Sequence, residues 1–71
     1  MGKFYFAAKI SQEYADTICK KAISLGVPEE NILLSRKACK LLQIGIYIKF
    51  NDVDTYNKFN TWDIPGIIER W

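Results

Sequence analysis

The chain has 71 residues, of which 49% are hydrophobic and 25% charged, with a formal net charge of +2 and no histidine. A domain of this length buries only around 60% of the surface its unfolded chain exposes, which excludes a deep cleft walled by its own core and places function on the surface. The composition excludes a disordered tail, and the mild positive charge permits an anionic partner without requiring one.

Residues 3–10 alternate with period two. Phe4, Phe6, Ala8 and Ile10 share one face, and Lys3, Tyr5, Ala7 and Lys9 share the other. Ser11 then suits a helix N-cap, with Glu13 in the first turn where the dipole favours a negative charge. A helix is expected from there to Leu25, because Tyr14, Ala15, Ile18, Cys19, Ala22 and Leu25 fall within one arc at 100° per residue. Gly26 suits the left-handed residue that closes a helix, Val27 can fold back onto the last turn, and Pro28 prevents continuation.

A short strand follows at residues 31–36 and a longer one at 42–50, where Ile44, Ile46, Ile48 and Phe50 alternate with Gln43, Gly45, Tyr47 and Lys49. The linking Lys37-Ala38-Cys39-Lys40 has none of the usual hairpin residues. Two readings stay open for residues 37–42: a turn, or a helical turn capped by Ser35 that shortens or removes the preceding strand. Asn51 or Asp52 can cap a second, short helix with Val53, Tyr56 and Phe59 on its inner side. Trp62 and Ile64 are expected to plug the open end of the core. Pro65-Gly66 then turns the chain into a last strand at 67–71, which Pro65 confines to a sheet edge.

The resulting order, βαββαβ, predicts a single α+β domain over residues 1–71. It is expected to be a small ferredoxin-like sandwich with an antiparallel-type sheet in the order 4-1-3-2 and two helices on one face. No internal repeat, low-complexity tract or linker interrupts it.

The chemistry-bearing residues argue against an enzyme. The commonest general acid/base and metal ligand is missing, and no glycine-rich phosphate loop or nucleophile elbow occurs. Cys19 and Cys39 lack metal-site spacing and read as reduced thiols, Cys19 in the core and Cys39 the more reactive, with a bridge between them as the minor alternative. Asp52, Asp54 and Asp63 could be drawn as a magnesium site, but helix capping accounts for the first two. No metal and no cofactor are therefore expected. The first residues lack a signal peptide's plan, Phe6 stands where a myristoylation motif wants Ser or Thr, and no apolar stretch approaches bilayer length; a cytoplasmic, unanchored protein is the expectation.

What remains is the sheet face that the helices leave uncovered. Lys3, Tyr5 and Lys9 from one central strand would stand beside Gln43, Tyr47 and Lys49 from the next, offering rings for stacking and cations for phosphates. Tyr5 and Tyr47 are expected side by side. In this placement the face resembles the RNA-recognition motif. Residues 43–50, laid on that family's longer signature, keep the aromatics at its fifth place (Tyr47) and eighth (Phe50), and Phe4-Tyr5-Phe6 keeps one at the second place of the shorter. Its basic first residue, the following glycine and the aromatic at the third place, where Gly45 stands, are missing.

The low charge and the incomplete signature favour a protein partner. The expected function is a non-enzymatic binding domain that engages another protein through Lys3, Tyr5, Lys9, Gln43, Tyr47, Lys49 and Trp71. Single-stranded nucleic acid is the alternative partner. Ten isoleucines suggest an AT-rich source, such as a viral or mobile-element inhibitor of a host factor, or a self-associating subunit forming a homodimer. Trp71 could anchor a partner or fold over the sheet rim.

Overall fold

The computed structural model describes residues 4–37 and 39–71. Lys3, expected on the open face, lies outside them. Strand β1 (Phe4–Ser11) passes through a 3₁₀ turn (Gln12–Tyr14) into helix α1 (Ala15–Ser24), and a second 3₁₀ turn (Glu29–Asn31) opens β2 (Ile32–Ser35). Strand β3 (Gln43–Phe50), helix α2 (Val53–Asn60) and strand β4 (Ile67–Arg70) complete the chain. The four strands form one antiparallel sheet in the order β2-β3-β1-β4.

The two long alternating runs pair with each other, from Phe4 opposite Phe50 to Ser11 opposite Gln43. That register places the Phe and Ile residues of both strands on one side. Phe6, Ala8 and Ile10 of β1, Ile44, Ile46, Ile48 and Phe50 of β3, Ala15, Ile18 and Ala22 of α1, and Phe59 of α2 belong to a single buried cluster, closed by Val27 and Ile64. Its aromatic end is interlocked: the Phe59 ring meets Phe6 edge-on at 5.1 Å and lies 5.3 Å from Phe50 and 5.9 Å from Trp62. Lys21 of α1 lays its ammonium 5.4 Å from the centre of the Trp62 ring.

Helix α1 ends as its residues dictate. Gly26 has φ 100°, its N–H donates to the Ile23 carbonyl (2.9 Å), and the Val27 N–H donates to that of Ala22 (3.1 Å). These are the two bonds of a Schellman cap, with Val27 buried against the core. The start of the helix differs from expectation. Ser11 ends β1, its side chain makes no capping bond, and its N–H is bonded to the Gly66 carbonyl (2.8 Å). Ser11 keeps the extended backbone of an N-cap (φ −70°, ψ 130°), but it precedes one 3₁₀ turn instead of the α-helix itself, and Tyr14 lies in that turn, exposed.

Helix α2 is capped by Asp52, which accepts from the Thr55 N–H (3.1 Å) and hydroxyl (2.7 Å). Phe59 is buried and Tyr56 half-buried on its inner side, but Val53, expected with them, is exposed. As the first residue of the helix it lies before the chain has turned down onto the sheet. Of the two forms considered for residues 37–42, the described residues take the turn, as two successive turns with no helix. Cys39 donates to the Arg36 carbonyl (3.1 Å), Gln43 to that of Lys40 (3.1 Å), and Leu42 adopts a left-handed backbone with φ 66°. The Leu42 carbonyl accepts from the Gln12 N–H (2.9 Å), a bond to a distant segment that no residue within the loop announces. β2 is accordingly retained, shortened by one residue at each end. Among the described residues no helix is long and apolar enough to cross a membrane.

Candidate functional site

On the side of the sheet opposite the core, alternation presents Tyr5, Ala7 and Lys9 of β1 and Gln43, Gly45, Tyr47 and Lys49 of β3. Tyr5 and Tyr47 are exposed on this face, but they are not direct partners. Tyr5 stands opposite Lys49, and Tyr47 opposite Ala7, so the two rings are diagonal neighbours two positions apart. The alternation of each strand was readable locally, whereas the offset between strands depends on how they dock.

Both tyrosines line one open groove of about 300 Å³, together with Leu33, Lys49, Glu30 and Asn31. Leu33 enters because β2 pairs with β3 in the register that sets it opposite Tyr47. It is 62% exposed, more than either tyrosine. The run Ile32-Leu33-Leu34 has no alternation, which is why the sequence did not assign Leu33 to this face. Asn31 secures the groove wall by donating its amide to the Lys49 carbonyl (3.1 Å).

The other half of the face is occupied by the chain itself. The Trp71 N–H donates to the Ala7 carbonyl (3.0 Å), continuing the β1–β4 ladder and bringing the indole onto the open face. There it lies 5.6 Å from the Tyr47 ring, tilted by 34°. Gly45, directly beneath, is buried although it faces away from the core. A Cβ at this position would come within 3.0 Å of the indole and 3.3 Å of the Ser35 carbonyl, so only glycine allows the ring to lie this close. Trp71 thus covers the sheet at the residue that leaves backbone bare.

Of the cations expected here, Lys9 is only 20% exposed at its side chain and lies 3.9 Å from the carboxylate of Glu69, its cross-strand partner on β4. Lys49 is exposed on the groove, with Glu30 on the same rim. Gln43 turns toward the loop, where its side-chain carbonyl accepts from the Lys40 N–H (3.3 Å).

The remaining candidate chemistry is scattered. Cys19 and Cys39 are both half-buried free thiols, and burial, assisted by the Asp16 carboxylate, pushes the Cys19 thiol above its usual value. Both carboxylate oxygens of Asp52 are engaged by Thr55. Among the described residues, no three His, Cys, Asp or Glu side chains come together as a metal site. Comparison with known proteins finds no family model, no curated protein and no solved structure that matches the chain.

Proposed function

We propose that this chain is a small non-enzymatic binding domain of ferredoxin-like form that takes a segment of a partner protein on the open face of its sheet. The strand order β2-β3-β1-β4 and the single core cluster fed by both helices support the fold reading. The groove between Tyr5, Leu33 and Tyr47 carries the functional one: three large apolar side chains remain exposed around one depression on an otherwise polar or self-covered face. Aromatic rings around a depression, rimmed by polar groups, are how protein interfaces place their anchors.

The charges favour protein over nucleic acid. Lys9 faces Glu69, and Glu30 shares the groove rim with Lys49, so a phosphate chain crossing the face would meet carboxylates as well as ammonium groups. A peptide, with both signs of charge and apolar side chains, matches that mixture.

The test is capture of a partner from the native host by the wild-type chain, beside Tyr5→Ala and Tyr47→Ala variants. Loss of an anchor ring is expected to weaken capture about tenfold. Capture unchanged in both variants removes the sheet face as the working surface. Labelled single-stranded oligonucleotides, titrated at two ionic strengths, decide the partner class. Binding that falls steeply with salt would replace the protein reading with the nucleic-acid one.

A further inference from the structure

The two edges of the sheet are built differently. Strand β4 carries a register shift against β1, follows Pro65, and ends in Glu69 and Arg70. Bulges, prolines and charges are the devices by which edge strands avoid pairing with other chains. Strand β2 is as short as β4, at four residues, but has no bulge, proline or charge. Ile32-Leu33-Leu34-Ser35 contains no proline, glycine or charge and pairs with β3 in unbroken register, and among the described residues its outer edge meets no further strand of the sheet. Leu33 and Leu34 are 62% and 42% exposed.

The flanks of β2 are charged with opposite sign. Glu29 and Glu30 precede it and Arg36 and Lys37 follow it, all exposed and, among the described residues, in no ion pair. Two parallel copies of such a strand would bring like charges together. Two antiparallel copies bring each acidic end to the other's basic end.

Side-chain alternation restricts the register further, because residues paired across an antiparallel ladder share a face. Centring the pair on Leu33 satisfies this: Leu33 meets its own copy on the open face and Ile32 meets Leu34 on the helix face. The same register brings the 3₁₀ turn that carries Glu29 and Glu30 to the end of the partner strand that carries Arg36 and Lys37, at both ends and beyond the ladder itself.

From this we infer that β2 pairs antiparallel with β2 of a second copy of the chain, about a two-fold axis through Leu33. The product is a continuous eight-stranded sheet with all helices on one side and the two grooves adjacent on the other. The pairing uses the strand edge, not the face, and does not depend on the function proposed above. One short strand per copy gives an interface at the small end of the range, below about 1,200 Å², so the dimer forms with rising concentration.

Sedimentation equilibrium from about 10 µM to about 1 mM at low ionic strength measures it directly. The expected result is a monomer–dimer equilibrium. Glu29→Lys/Glu30→Lys and Arg36→Glu/Lys37→Glu each set like charges against each other at both ends of the pair, raising the dissociation constant roughly tenfold or more. An equimolar mixture of the two variants restores the dimer, whereas Tyr5→Ala, which alters only the face, leaves it unchanged. Amide exchange within β2 of the wild-type chain slows as concentration rises, a readout that needs no substitution. A wild-type chain monomeric throughout, a dimer indifferent to both reversals, a mixture no better than its components, or β2 exchange independent of concentration overturns the pairing.

Discussion

Gly45 and Trp71 are 26 positions apart, yet each is the reason for the other's environment. A glycine inside a central strand leaves its backbone without a side chain to shield it, and here the indole of Trp71 supplies the missing cover while extending to Tyr47. Placing a valine at this position fills the space that the indole occupies. In a Trp62→Phe background, Gly45→Val is therefore expected to shift Trp71 emission to the red and increase its quenching by iodide, as the ring swings into water. Unchanged emission would mean that the indole does not rest on Gly45. Lys9 shows the same dependence on a distant residue, since its surroundings are set by Glu69 on a strand from the other end of the chain.

Among the elements, α2 is the one whose stability rests most visibly on one polar group. It is only eight residues long, a length at which a helix in isolation is marginal. The Thr55 hydroxyl and then the Thr55 N–H, both donating to Asp52, hold that carboxyl below its ordinary value, with Lys58 adding a favourable charge. A carboxylate whose value is lowered by folding contributes stability that is present above the unfolded value, about pH 4, and is lost as pH falls through the lowered folded one. Asp52→Asn keeps an oxygen able to cap Thr55 but removes the titration. Melting temperatures followed from pH 7 down to pH 2 are expected to fall less steeply below pH 4 in this variant than in the wild type. Parallel curves would assign the acid sensitivity to other carboxylates.

For the molecule as a whole, Phe59 is where the layers meet. It is fully buried, and its ring touches aromatic neighbours on β1, on β3 and at Trp62. Truncating a buried phenylalanine costs about 3–5 kcal/mol, against a total of about 4–11 kcal/mol for a chain of this size. Phe59→Ala is thus expected to lower the urea midpoint by about a quarter or more, with the native near-ultraviolet signal of all elements lost together at the new midpoint. Loss of α2 alone, with the sheet intact, would show that the domain does not unfold as one unit.

The elements themselves were legible in the residues because their signals are local. Period two at Phe4, Phe6, Ala8 and Ile10, period 3.6 at Ala15, Ile18 and Ala22, and the Gly26-Val27-Pro28 stop each lie within one segment, and each face follows from its own segment. Everything that turns the open face into a site lies between segments. Tyr5 opposite Lys49 instead of Tyr47, Leu33 brought to the groove, Lys9 set beside Glu69, Trp71 laid on Gly45 and the left-handed Leu42 bonded to Gln12 all depend on register and on hydrogen bonds across the chain. A strand's pattern states which way its side chains point, but the neighbour each one meets is chosen only when the strands dock, and that choice was made by the tertiary structure.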